Sequence, residues 1–202
     1  MPAYTPHQTE LAAPSTPVGL FPPLDGPTTL YFRDKIFKTS DTDTAVRDED
    51  GAIVLRVLDH AFDRRRRMDL TDPEGNVLVS LRCKLATWLG KVVAEDAEGK
   101  WLLDAESRGS WNGKHLAISY ADYSGERRSL TLRSDRVGRK VDVLANDDVI
   151  MHLEHKMLGK EHLGKNTDSW YLFLAPGVDY VLATAVCLAY DMYKEQQAAR
   201  RG

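Results

Sequence analysis

Apolar residues in this chain follow two regimes. Val77, Val79, Leu81 and Cys83 alternate with Ser80, Arg82 and Lys84, and Leu116, Ile118 and Tyr120 stand around Ser119. Leu130 and Leu132, Val141 and Val143, then Val149, Met151 and Leu153 keep the same period of two. That period is the mark of a half-buried strand. After Ala175 the pattern changes. No charged side chain lies between Asp179 and Asp191, a span of about three turns, so a helix over about 178–197 has no polar face and must be wrapped. A membrane span needs roughly 20 apolar residues, and a charge in hydrocarbon is costly, so the flanking aspartates favour protein over a membrane as the wrapper, with membrane anchoring the minor alternative.

The strands are punctuated by a recurring turn. Asp48-Glu49-Asp50-Gly51, Asp72-Pro73-Glu74-Gly75, Asp96-Ala97-Glu98-Gly99 and Asp122-Tyr123-Ser124-Gly125 each supply a turn-initiating acid and a glycine, and the glycines are 24, 24 and 26 residues apart. Asn112-Gly113 and Asn146-Asp147-Asp148 add two tight turns. Strands are expected near 29–33, 43–48, 52–58, 65–71, 76–83, 89–95, 100–108, 115–122, 127–133, 139–144, 148–155 and 169–174. About twelve antiparallel strands in succession expose edges unless they close. Eight strands already fill a barrel with their own side chains, so a dozen leave room for a helix roughly 10–12 Å across. The expected fold is mainly β: a closed antiparallel barrel around a C-terminal hydrophobic helix. Asp179 falls in that helix's first turn, Ala183, Thr184, Ala185 and Ala189 let the wall approach, and from Met192 the helix turns polar and leaves the mouth.

Composition sets the boundaries. Seven of the nine prolines fall in residues 1–27, which predicts a disordered proline-rich arm there, a barrel domain over 28–197 and a frayed tail over 198–202. The net charge of −3 gives no reason to expect nucleic acid, so an anionic partner would need a local basic patch. Cys83 and Cys187 read as small buried core residues. The opening residues show no basic region followed by an apolar block, which sets a cytoplasmic location as the expectation.

Trp170-Tyr171-Leu172-Phe173-Leu174-Ala175-Pro176-Gly177-Val178-Asp179 running into the apolar helix, together with the repeated strand-Asp-x-x-Gly-strand units, resembles the LURP-one-related family. Its domain is similar to the Tubby C-terminal domain and the phospholipid scramblases. The resemblance covers about residues 28–197 and implies a twelve-stranded barrel around a C-terminal helix. It also implies a protein without established enzymatic activity, related to a domain that binds phosphoinositides in a basic surface pocket. No contiguous lipid-binding motif of the Tubby type is present to carry over.

Candidate chemistry centres on Arg64-Arg65-Arg66-Arg67 between Asp63 and Asp69. Guanidinium forks match phosphate bidentately, and four or more basic residues beside a membrane mark an anionic-lipid site. The plainer reading is a solvated edge whose inner arginines pair with aspartates. Arg136, Arg139 and Lys140 form a second basic turn around Gly138, and Lys84, Lys91, Arg127, Arg128 and Arg133 are further cations. His152, Glu154, His155 and His162 lack metal-site spacing, since a strand sends His152 and Glu154 to one face and His155 to the other. The four tryptophans, Trp88, Trp101, Trp111 and Trp170, read as wall or core packing. No nucleophile elbow, P-loop or dinucleotide turn is present, so neither catalytic residues nor a cofactor or metal is expected. The expected function is a non-enzymatic module that binds anionic phospholipid or phosphoinositide headgroups through Arg64, Arg65, Arg66, Arg67, Arg136, Arg139 and Lys140, in peripheral contact with a membrane. The alternatives are a protein-interaction scaffold and a scramblase-like activity.

Overall fold

The computed structural model describes residues 10–21, 29–33, 43–60, 66–84, 91–107, 115–135, 139–157 and 168–199. Within them the alternating stretches form twelve strands: β1 (Thr29–Arg33), β2 (Asp43–Asp48), β3 (Ile53–His60), β4 (Arg67–Thr71), β5 (Val77–Lys84), β6 (Lys91–Glu95), β7 (Trp101–Ser107), β8 (His115–Ala121), β9 (Arg127–Ser134), β10 (Lys140–Ala145), β11 (Asp148–Met157) and β12 (Asp168–Leu174). Each pairs antiparallel with its chain neighbours, and β1 closes the ring on β12 with Thr29 opposite Phe173 and Arg33 opposite Ser169. Even strands therefore all run one way and odd strands the other. The meander is a closed barrel, as its pattern predicts.

The turns explain how the ring is sewn. Gly51, Gly75, Gly99 and Gly125 take φ between 82° and 95°, a region closed to most side chains. Each sits opposite an aspartate whose backbone carbonyl accepts the glycine N–H at 2.8–3.1 Å. The aspartate side chain then accepts the N–H two residues after the turn's third position, as in Ala52 to Asp48 Oδ1 at 2.8 Å and Lys100 to Asp96 Oδ1 at 2.7 Å. Asn146 and Asp147, at φ of 49° and 74°, close the β10–β11 hairpin without a glycine, which suits residues that tolerate left-handed backbone. All these turns follow even strands and lie at one end of the barrel. Asn112-Gly113 lies outside the described residues.

The helix α1 (Tyr180–Ala199) enters at the hairpin end and threads back through the lumen, with Val181 to Tyr193 buried without a break. Leu30, Leu55, Val57, Leu70, Leu81, Leu103, Ile118, Leu132, Val143 and Leu172 line the wall around it, each at most 1% exposed. Asp191 is itself buried, so the polar exit falls at Lys194 and not directly after Asp191, and the helix continues to Ala199, two residues past its expected end. Cys83 and Cys187 are both buried in this core and form no disulfide. No helix among the described residues is long and apolar enough to cross a membrane.

Two expectations need correction. Asp179 is the residue before the helix, not part of its first turn: its Oδ1 accepts the N–H of Val181 at 2.8 Å and its Oδ2 that of Leu182 at 3.3 Å, the geometry of an N-cap. Residues 10–21, expected within a disordered arm, are seated on the barrel. The Ala12 N–H donates to the Val149 carbonyl at 2.9 Å, and Val18 forms a parallel bridge to Val178 and is buried with Leu20. The same Asp179 Oδ2 accepts the N–H of Leu20 at 3.0 Å and of Phe21 at 3.3 Å. One carboxylate thus clasps the strap to the helix start. Proline spacing alone reads as disorder because the strap's partners lie at the far end of the chain.

Gly19 is what lets the clasp close: a Cβ there would meet Asp179 Cβ at 2.5 Å and the Phe21 carbonyl oxygen at 3.0 Å. Replacing Gly19 by Ala should cost about 1–3 kcal/mol, the usual range for an overpacked site, and Asp179→Ala about 1–3 kcal/mol for the lost cap and the orphaned N–H groups. Because both break one clasp, the double variant should lose less than the sum. Urea denaturation of the three variants measures this, and strict additivity would show that strap and cap act independently.

Candidate functional site

The end of the barrel opposite the hairpins is where even strands begin, odd strands finish and the polar tail of α1 emerges. Both basic segments picked out from the sequence border this end. Arg66 and Arg67 stand at the start of β4, Arg139 and Lys140 at the start of β10. In the ring, β4 and β10 are six strands apart out of twelve, so the two clusters occupy opposite walls of one mouth and do not merge into a single patch. Arg64, Arg65 and Arg136 lie outside the described residues.

Arg67 does not point freely into solvent. Its Nε and Nη2 donate to Asp69 at 2.9 and 3.0 Å, the pairing that the plainer of the two readings expects. Asp69 is the hub of the wall: Ser80 Oγ donates to it at 2.6 Å and His60 Nε2 lies 2.8 Å away, with the carboxylate only 5% exposed. Burial pushes its carboxyl up, but the hydrogen bonds from Arg67, Ser80 and His60 together outweigh that and hold it below its ordinary value. Arg66 takes the other direction, inward, to an ion pair with Glu195 on α1.

The register of β4, β5 and β6 places like charges face to face. Arg67 is directly opposite Arg82, and Lys84 directly opposite Lys91. Such pairs are destabilising by themselves, and carboxylates offset them. Arg82 pairs with Glu95, and Lys91 pairs with Asp104 and, at 3.4 Å, with Glu106. Burial pulls the Lys91 ammonium down, yet Asp104 and Glu106 leave its pKa above the ordinary lysine value. A surface cleft of about 360 Å³ runs beside this ladder along the outer wall as far as the β6–β7 turn, lined by Arg67, Ser80, Arg82, Glu95, Asp96 and Gly99 among others. Reading the sequence singled out Lys84 and Lys91 but missed Arg82, which looks like one more polar position in an alternating strand. Only the register turns it into the partner of Arg67.

The remaining candidates have structural partners. Arg127 and Arg128 begin β9 and so sit at the hairpin end, Arg127 over the Trp101 ring at 4.8 Å and Arg128 on Asp122 at 3.2 Å. His152 Nδ1 lies 2.6 Å from Asp142, and the His155 ring packs on Trp170 with centroids 4.9 Å apart. Trp170 is a lumen residue, edge-on to Tyr190 of the helix and capped by Lys194 at 5.5 Å. Trp88, Trp111 and His162 lie outside the described residues.

A mainly β barrel of twelve strands threaded by its own C-terminal helix defines the Tubby C-terminal-like class. The family model for LURP-one-related proteins matches residues 28–191, most of the chain, and the chain belongs to that family. A crystal structure of a protein from Arabidopsis thaliana is similar to it at 17% identity, over 83% of this chain and 93% of that one, with a TM-score of 0.54. At that identity the likeness speaks for the fold alone. No curated protein matches.

The Asp69 hub sets an acid limit. Its folded pKa lies below the unfolded value of about 3.9, so in the window between them the unfolded chain binds the extra proton and stability falls as pH falls. Melting temperatures measured from pH 6 down to pH 3 should therefore drop more steeply for the wild type than for Asp69→Asn, which starts less stable near neutrality. Parallel curves would remove Asp69 from the acid response.

Proposed function

We propose that the barrel is a non-enzymatic binding module for anionic phospholipid headgroups, engaged at the end from which α1 emerges. The observation that carries this reading is the register that sets Arg67 opposite Arg82 and Lys84 opposite Lys91 on adjoining ladders of one wall. Cations set face to face lower stability; Asp69, Glu95 and Asp104 offset that here, and an anion with several oxygens competes with those carboxylates for the same cations. Arg67 and Arg82 border the cleft together with Ser80, whose hydroxyl donates to Asp69. Arg139 and Lys140, both exposed, extend the positive rim on the opposite wall. The mechanism is long-range attraction to a charged surface followed by fork contacts from guanidinium to phosphate. Membership of a family whose domain is similar to Tubby and scramblase domains agrees with a headgroup ligand, and contact with the membrane is peripheral.

Co-sedimentation of the full chain with vesicles tests this. The chain should pellet with phosphatidylserine or phosphoinositide vesicles, stay in solution with phosphatidylcholine, and be released as salt rises, because exposed charges are screened beyond a Debye length of about 8 Å at physiological ionic strength. Lys84→Gln/Arg139→Gln/Lys140→Gln removes three exposed cations without touching Asp69, and at about 1 kcal/mol per cation near an anionic surface it should weaken binding roughly a hundredfold. Binding that ignores salt, or that survives the triple change, would sink the mechanism.

A further inference from the structure

The basic segment and the central helix meet at one contact. Arg66 stands just before β4 with φ of 49°, a left-handed conformation that works against a residue carrying a Cβ. That backbone turns its guanidinium away from the wall that Arg67 faces and into the mouth, onto the Glu195 carboxylate. The Arg66 side chain is 36% exposed, so an ion arriving from outside can reach the arginine, while the Glu195 Oε2 set against it is itself covered. Glu195 lies in the part of α1 beyond Tyr193, where continuous burial ends. Next to it Lys194 is folded back over Trp170 and Tyr190, which anchors the tail while Glu195 faces the rim.

A carboxylate and a phosphate present a guanidinium with the same fork of acceptor oxygens. We propose that Arg66 is a phosphate subsite of the binding end, and that Glu195 occupies it as an internal stand-in for the ligand's phosphate. This rests on the headgroup reading above and adds a selectivity to it. A phosphomonoester carries about −1.5 to −2 at pH 7 against −1 for a carboxylate, so it displaces Glu195 once the wall cations have brought it near. A phosphodiester with a single charge has no such advantage. The ligand is thus a headgroup that carries a phosphomonoester, presented by a membrane or free in solution, and its binding releases the last turns of α1 from the rim.

The test compares wild type, Glu195→Gln, the charge-matched control Glu98→Gln in a turn at the hairpin end, and Arg66→Gln/Glu195→Gln. Phosphatidylcholine vesicles doped with either phosphatidylinositol 4,5-bisphosphate or phosphatidylserine are the surfaces, and inositol 1,4,5-trisphosphate measured by calorimetry is the soluble probe. Removing a partly exposed competitor should tighten binding of the bisphosphate vesicles by about two- to fivefold, more than the control does, and the double variant should lose that gain. On phosphatidylserine the gain should not exceed the control's. Glu195→Ala is the second variant and should behave like Glu195→Gln. A parallel gain with the soluble probe identifies the headgroup itself as sufficient, while a gain on vesicles alone assigns the membrane as the source. Wild-type binding that Glu195→Gln leaves unchanged or weakens, or a gain that persists without Arg66, overturns the stand-in role and leaves the headgroup reading intact. Absence of binding by every form overturns both.

Discussion

The structure depends on a helix that has no side for water. From Val181 to Tyr193 every residue of α1 is buried, and each large aliphatic side chain hidden in this way contributes about 1.5–3 kcal/mol relative to exposure. Such a helix cannot lie on a sheet, because a sheet covers one face and leaves the other wet. It needs a wall on all sides, and a wall of strands has no edge only if it closes. Closure in turn requires that alternate residues of all twelve strands point inward, and most of those are apolar, Thr44, Asp59 and His155 being among the exceptions. The period of two along the chain and the uniform apolarity of α1 are therefore one constraint seen from outside and from inside.

Starting that helix inside a barrel end raises a second problem, since its first N–H groups have no carbonyls to receive them. Asp179 meets it with two acceptors for the helix and, through the same Oδ2, two more contacts for the strap. Burial pushes the Asp179 carboxyl above its ordinary value, against the pull of the backbone N–H groups of Val181, Leu20, Leu182 and Phe21. One partly buried carboxylate thus ties the strap to the start of the helix at the hairpin end. Gly19 belongs to the same device, its missing Cβ being the space that Asp179 occupies.

Most of the fold was legible because its signals are local. An Asp-x-x-Gly turn declares itself within four residues, a strand within six, and α1 through the absence of charge between Asp179 and Asp191. What escaped depends on distance in the chain. Val18 and Leu20 look like stray apolar residues among prolines until Val178 and Asp179 are placed beside them. Arg82 becomes notable only opposite Arg67, and Arg66 only against Glu195. The arginine run was visible as composition, but its division into an outward-facing Arg67 held by Asp69 and an inward-facing Arg66 is set by one left-handed residue. Sequence proximity placed these arginines in one cluster; backbone geometry gave them different tasks.

The two ends of the barrel have consequently separated in chemistry. At the hairpin end, aspartates are consumed by backbone N–H groups, so their charge is spent on shaping turns and on capping α1. Along the wall and at the other end, carboxylates such as Asp69, Asp104 and Glu195 are set against arginine and lysine side chains, as Asp122 is against Arg128 at the hairpin end. Ion pairs of this partly exposed kind hold their geometry at little net gain, which leaves the cations positioned but exchangeable. A carboxylate locked to the backbone cannot be replaced by a ligand without unfolding a turn, whereas one resting on a guanidinium can be replaced by any better anion. The asymmetry follows from where the aspartates fall relative to the glycines, and it makes the end where α1 emerges the one able to change partners while the barrel stays closed.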